Sequence, residues 1–425
     1  MAEQERRFDD VCAWTDSCAL AGAMAFFAAW QDAAVIVNGP MWCHYFALRH
    51  VEHGVSDAVR RTGCTQLDND AIVFGAEDYL LEALQPYIAE PPRLLAIVSS
   101  CAAGLIGDDV AAIARSAGIA APVVAVDSSG LAGSFAEGWQ KAACAALDVL
   151  LPEKKVEKPY GVNLLGVTAG YYKGVNDAQE LVRLLRLAGY EVNAVLGCGE
   201  TAEELQHLPA AALNIVVHRE LGLAPAQTLS ERYGTPFVAP LPPYGRAGTR
   251  RWLEEITCAL PAPREKDAQE ELSHVEKEDF LRLNEIKSMW GELWFDKALV
   301  RAPASMAWGL AQALRTEWAD VRHLAVAADT DDALMNRTIV DEVFSETHTA
   351  GLDSFLASMN GGLLLASSNE AAQVELRQVQ FLPVAYPVLD RIHLTDVPLM
   401  GLRGARFIEE QLWNSYILRK QLSLL

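Results

Sequence analysis

Short apolar runs alternate with longer stretches of helical periodicity along most of this chain. In the first 150 residues the runs fall at 33–37, 71–74, 94–98 and 123–126, with helical patterns at 19–30 and 78–87. Runs this continuous fit strands buried on both faces of a parallel sheet rather than half-exposed ones. The segment 152–159, Pro-Glu-Lys-Lys-Val-Glu-Lys-Pro, interrupts the pattern with charge and proline and marks a boundary. Beyond it, runs at 162–168, 191–196 and 213–217 alternate with an amphipathic helix at 177–188, stopped by Gly189, and helices at 201–207 and 224–233. The charge-rich stretch 261–278 reads as a loop or solvated helix between domains, and 280–314 as mostly helical. A third set begins at 324–328 and continues at 362–366 and 381–384. The expected class is α/β, with three Rossmann-like domains and mainly parallel sheets, at 1–150, 151–262 and 263–425.

Composition narrows the function. Of 425 residues, 51% are hydrophobic and 21% charged, enough apolar material for a large core. The net charge of −21 argues against nucleic acid or an anionic membrane as main partner. Near-apolar stretches are broken well before the ~20 residues of a membrane helix. The first ten residues are charged and lack a signal-peptide core, so a cytoplasmic location is expected. No G-x-x-x-x-G-K-[ST] occurs, so ATP binding by a phosphate loop is not expected.

Eight cysteines stand at positions 12, 18, 43, 64, 101, 144, 198 and 258. No C-x-x-C pair is among them, and a reducing compartment disfavours disulfides. Cys18 and Cys43 lie 25 residues apart, and Cys101 follows 58 later. Cys43 and Cys101 each come just after an apolar run. Thiols at the carboxyl ends of two strands face the crevice where open α/β sheets bind ligands. Three thiolates there suit an iron–sulfur cluster. The spacing also permits the bland alternative of buried thiols acting as small hydrophobes.

The surrounding motifs carry more. G-P-M-W-C-H-Y at Cys43, V-F-G-A at 73–76, S-C-A-A-G-L-I-G-D-D at Cys101 and the closing Y-P-V-L-D-R and P-L-M-G-L-R-G-A at 386–391 and 398–405 resemble the nitrogenase component 1 superfamily. The resemblance implies that Cys18, Cys43 and Cys101 bind an iron–sulfur cluster at a subunit interface, either a [4Fe-4S] cluster or an [8Fe-7S] P-cluster-like one. It implies a partner, either a catalytic alpha-type subunit in an α2β2 assembly or a second copy of this chain, and a separate ATP-dependent iron protein. It further implies an oxidoreductase subunit relaying low-potential electrons, most like the β lineage, with a methylthio-alkane (carbon–sulfur bond) reductase as one setting. The alternatives are a scaffold for cofactor assembly and a tetrapyrrole reductase subunit.

Glycine at Gly39 and Gly22 and proline at Pro40 are expected to let backbone approach the cluster. Cys64 is a candidate fourth ligand, and Cys198, in a glycine-flanked loop, a candidate contact for substrate or cofactor. Cys12, Cys144 and Cys258 read as inert. His218 stands where the family's α subunit has a cofactor cysteine, and no histidine stands in the loop after His393, which disfavours an α-type cofactor site. His44 is expected to orient the cluster's surroundings through a hydrogen bond. Asp108 and Asp109 read as acids at a helix amino end, where the dipole favours them.

Overall fold

The computed structural model describes residues 17–150, 156–328, 336, 338–345, 349–374, 378–389, 391–392 and 394–422. Cys12, His393 and the first half of the 152–159 boundary segment lie outside them. The chain divides into two compact units, Met1–Val175 with Val192–Phe237, and Asn176–Glu191 with Val238–Leu425.

The first unit holds two sheets. One has the order β2-β1-β3-β4, from β1 (Ala33–Asn38), β2 (Thr62–Cys64), β3 (Leu94–Ser99) and β4 (Val123–Asp127), all parallel. Every residue of β1 and β3 is buried, which explains their unbroken apolar runs. Ala34 and Ile36 of β1 and Leu95 and Ile97 of β3 meet Leu80 and Leu84 of α4 (Glu77–Ala89) and Ile113 of α6 (Val110–Ser116). α1 (Ala19–Ala28) also packs on β1 and β3, and α7 (Phe135–Leu150) on β4. α1 is buried along its whole length, because α7 covers it.

The α1–α7 crossing is set by two glycines. A Cβ on Gly22 would overlap the carbonyl oxygen of Phe135, and one on Gly138 the carbonyl oxygen of Ala19. Gly22 therefore serves close helix packing, in place of the cluster approach expected of it.

The second sheet has the order β6-β5-β7-β8, from β5 (Lys158–Leu165), β6 (Glu191–Leu196), β7 (Ala211–Val216) and β8 (Phe237–Val238). Its connecting helix α9 (Arg219–Tyr233) packs on β5 and β7. α8 (Gly174–Leu187) falls mostly within the second unit.

The second unit's parallel sheet runs β11-β10-β9-β12-β13, from β9 (Trp294–Arg301), β10 (Asp320–Ala327), β11 (Glu342–Phe344), β12 (Leu363–Ala366) and β13 (Gln380–Pro383). Leu299, Ala325, Leu364 and Phe381 pack there against Phe344, Leu352 and Phe355. The helices α10 (Gly245–Ala259), α11 (Glu265–Trp290), α12 (Ala304–Ala313) and α14 (Gly401–Leu422) belong to this unit, with α13 (Thr349–Ala357) beside β11.

Two expected elements differ. Residues 71–74 are not a strand; they end a short helix, α3 (Asn69–Phe74). The Asp68 carboxylate accepts from the N–H groups of Asp70 and Ala71, which caps the helix, and Gly75 at φ 98° ends it. Ala71 is buried, but Ile72, Val73 and Phe74 are surface residues, with Phe74 84% exposed, and the second strand is Thr62–Cys64 instead. The mostly helical stretch expected at 280–314 is interrupted by β9. Gly291, at φ 79°, stops α11 and frees the chain to extend into the sheet. The charge-rich 261–278 stretch is largely the start of α11, whose length is set by tertiary packing on α10 and α14. No helix of the described residues is long and apolar enough to cross a membrane.

Candidate metal centre

In the first sheet the chain reverses direction of winding at β1: β2 lies on one side of it and β3 on the other. The carboxyl ends of β1 and β3 therefore flank the switch point at which such sheets open a ligand crevice. The loops that follow carry Cys43, third residue of α2 (Met41–Arg49), and Cys101, first residue of α5 (Cys101–Ile106).

Local chemistry draws these loops together. Asn38 pairs with Ser99, and the Ser100 N–H donates to the Asn38 carbonyl at 2.9 Å. The Ser100 hydroxyl accepts from the Ala103 N–H as the cap of α5. A Cβ on Gly39 would overlap the Ser100 hydroxyl, so only glycine lets the two loops approach this closely. Cys18 enters from the other direction as the residue preceding α1. The Ala19 N–H donates to the Gly133 carbonyl at 3.0 Å, fastening that end of α1 to the loop after β4.

Gly130, in the same loop, is the hub. A Cβ placed there would lie 3.3 Å from Cys101 Sγ and 3.4 Å from Cys18 Sγ, with Cys18 Cβ at 2.8 Å. The Gly130 N–H donates to Cys101 Sγ at 3.1 Å. Burial pushes the Cys18 thiol above its ordinary pKa, and the nearby Cys101 adds to that. Cys43 is pushed up to about 11, by burial first and then by the thiols of Cys18, Cys101 and Cys64.

The structure brings Cys18 and Cys101 together at Gly130, and sets Cys43 and Cys64 at the adjoining carboxyl ends of β1 and β2. Sequence reasoning gave Cys64 a lesser place; its signal was T-G-C-T at the end of an unrecognised strand. Gly130 was missed outright, and the Ser-Ser-Gly turn after β4 was the available cue. His44 Nε2 lies 3.2 Å from the Thr62 hydroxyl, which ties α2 to β2, and its burial lowers its pKa. Asp109 caps α6 by accepting from the Ala112 N–H, and Asp108 accepts from the Ala76 N–H at 2.7 Å, so both acids serve local structure.

Thiol sulfur is the donor an iron–sulfur cluster takes. Among the described residues no three His, Cys, Asp or Glu side chains converge as a single metal ion requires. A polynuclear iron–sulfur group takes thiolates spread around its perimeter. The space that a side chain at position 130 would fill lies between two of them.

Two other candidates stand apart. Cys198 lies in the loop after β6 and is not among the thiols acting on Cys43. That loop is pinned to the end of α1, since the Gln31 N–H donates to the Glu200 carbonyl at 2.9 Å and Asp32 accepts from the Ala202 N–H at 3.0 Å. His218 is 2% exposed, lies edge-on to Tyr171 at 5.1 Å, and is driven by burial to a pKa of about 3. It is a neutral packing residue at the start of α9.

The same loop holds a titrating group. Glu200 is fully enclosed, with one carboxyl oxygen accepting from the Gly197 N–H at 2.6 Å, and burial raises its pKa from 4.5 to about 8. A carboxyl whose folded pKa exceeds its unfolded value binds its proton more tightly when folded. Its contribution is therefore intact below pH 4.5, declines as pH rises through the window to about 8, and is constant above it. Glu200→Gln is expected to abolish that slope, which is worth on the order of 5 kcal/mol at most. Denaturant unfolding at several pH values checks this; an equal slope in both proteins refutes it.

Around Cys43 the surface is apolar. Trp42 is 69% and Phe46 63% exposed, their rings stacked with centroids 6.2 Å apart, and Tyr45 packs edge-on to Trp42. Ile72, Val73 and Phe74 of α3 are likewise exposed.

Comparison with known proteins identifies the family and the fold. The family model for nitrogenase component 1 type oxidoreductase matches residues 18–416. The nitrogenase iron-molybdenum cofactor biosynthesis protein NifE of Clostridium pasteurianum is 30% identical over 252 residues, 57% of this chain and 54% of that protein. The nitrogenase molybdenum-iron protein alpha chain of the same organism is 30% identical over 221 residues, 49% of this chain and 40% of that one. A light-independent protochlorophyllide reductase subunit of Synechococcus elongatus is 41% identical over 110 residues, 26% and 21% of the two chains. The matched segments thus span about half or less of these relatives. The solved structure "Nitrogenase Cp1 at pH 6.5" superposes with a TM-score of 0.79 at 15% identity, over 95% of this chain and 93% of that one, which establishes the shared fold. The chain belongs to the nitrogenase component 1 type oxidoreductase family.

Proposed function

We propose that this chain is a subunit of a nitrogenase-like two-component reductase and holds an iron–sulfur cluster, [4Fe-4S] or [8Fe-7S] P-cluster-like, on Cys18, Cys43 and Cys101. The observation that carries the reading is the meeting of the Cys18 and Cys101 thiols at Gly130, beside the β1 end that leads to Cys43, at the switch point of the first sheet. When bound, the cluster would take up and release single electrons at low potential.

The residues divide the remaining work. Gly39 and Gly130 keep backbone and thiols close. The Gly130 N–H donates to Cys101 Sγ and holds that sulfur in place. Trp42, Tyr45 and Phe46 offer an apolar surface larger than isolated exposed residues would make, and a second subunit covering it would exclude water from the cluster. That subunit is an alpha-type catalytic chain in an α2β2 assembly or a second copy of this one. Electrons would come from a separate ATP-dependent iron protein.

A second reading, a scaffold subunit for cofactor assembly, is favoured by the similarity to NifE. The two separate in one experiment. The protein is purified anaerobically with its co-purifying subunit, iron and labile sulfide are counted, and substrate reduction is assayed with dithionite, ATP and the iron protein, each omitted in turn. A reductase loses all turnover without ATP or without the iron protein. Turnover that persists without either refutes the two-component mechanism, and absence of iron refutes the cluster.

A further inference from the structure

We infer that Cys64 is a further thiolate ligand, supplied by this same chain, to the cluster held by Cys18, Cys43 and Cys101. The inference rests on the cluster reading and adds to it. Cys64 ends β2, in register with Val37 of β1, so it reaches the same carboxyl edge of the sheet as the loop leading to Cys43. The turn after it is clamped onto the Gly39 turn. The Thr65 N–H donates to the Val37 carbonyl at 3.0 Å, the Gly39 N–H to the Thr65 hydroxyl at 2.9 Å, and the Leu67 N–H to the Gly39 carbonyl at 3.1 Å. The His44–Thr62 contact fixes α2, which carries Cys43, to the same strand.

The sulfur sits where this clamp meets the other loops. Cys64 Sγ lies 3.2 Å from the Gly39 carbonyl oxygen, and Gly39 is the residue pressed against Ser100, next to Cys101. It also accepts the Gln66 N–H at 3.3 Å. Cys101 receives the same kind of N–H···S contact from Gly130. A thiol serving only as a small hydrophobe has no use for one. Gln66 holds φ 57°, a left-handed conformation uncommon for a residue with a side chain, so this turn is kept in a costly shape.

Ligation exchanges one partner for another without redox change. On ligation the Cys64 S–H, now directed at the Gly39 carbonyl, would give its proton to water as the sulfur bound iron, and the Gln66 N–H would stay on the sulfur. Of the positions that three thiolates leave open on a cluster, one would then be filled within the chain.

The test compares wild type, Cys64→Ala, Cys64→Ser and Cys43→Ala, each purified anaerobically as the full chain with its co-purifying subunit. Iron, acid-labile sulfide, removal of iron by an iron(II) chelator and the EPR spectrum of the dithionite-reduced protein are measured. Cys64→Ala is expected to make part of the cluster iron removable by the chelator and to change the EPR spectrum. Cys64→Ser, which keeps a donor for Gly39 and an oxygen ligand for iron, is expected to retain its iron with shifted g values. If Cys64→Ala does not fold, the serine variant decides alone. A wild-type spectrum and chelator resistance in the variant that folds overturn the inference. Loss of iron from Cys43→Ala in that case leaves the three-cysteine cluster standing; wild-type iron in Cys43→Ala as well means the cluster reading itself has failed.

Discussion

Alanine at Cys18, Cys43 or Cys101 is expected to remove most of the bound iron and the visible absorption while leaving the chain folded. Each thiol is partly buried, so its loss removes only a small apolar contact, worth about 1 kcal/mol or less in a site that can relax. A structural cysteine would show that cost and nothing more. A ligand shows the reverse balance: little change in the unfolding of the metal-free protein, and near-complete loss of iron. Two of the thiols indicate why the effect should be large. Cys18 and Cys43 have raised pKa values, so without iron they stay protonated near neutral pH. Iron must displace those protons, and one missing ligand leaves the others with less binding energy to do so. Reconstitution of the wild type should weaken as pH falls, for the same reason. Unchanged iron in all three variants would overturn the assignment.

Gly138→Ala is expected to destabilise the protein by about 3 kcal/mol, the upper end for overpacking. Helix propensity alone argues the other way, since alanine is better than glycine inside a helix by about 1 kcal/mol. The steric term wins because the new methyl would overlap a main-chain oxygen, that of Ala19, and no rotamer change relieves it. α7 would have to move away from α1, which is buried throughout and packs Phe26 edge-on against Trp139 at 5.1 Å. The displaced end of α1 is the one that holds Cys18, beside the Gly133 contact. Gly22→Ala, overlapping Phe135 from the facing helix, should act alike. Denaturant midpoints measure the stability, and iron retention reports the effect on Cys18. A variant as stable as wild type would show that the crossing relaxes without cost.

Much of the α/β architecture was legible in the chain. The run at 94–98 became β3 with nearly the expected bounds, because a strand buried on both faces must be apolar at nearly every position. The cysteine motifs could be read because Cys43 and Cys101 follow such runs directly, and chain order then places them at one edge of a parallel sheet. Asp109 before α6 was legible for a local reason, since a cap is satisfied within three residues.

Where a residue's role depended on a distant neighbour, the sequence by itself was silent. The apolar 71–74 run looked like a strand and is a surface helix turn, since apolarity does not say whether the covering partner lies inside the chain. β9 was hidden in a stretch of helical composition, because its place between β10 and β12 is fixed by pairing with residues tens of positions away. Gly22 could equally have met a ligand or a helix; only the crossing with α7 assigned it. The gathering of the thiols was decided in the same way. Cys18 meets Cys101 through Gly130, and Cys64 meets Gly39 through a parallel strand register, and both contacts exist only once the sheet has brought its carboxyl ends together.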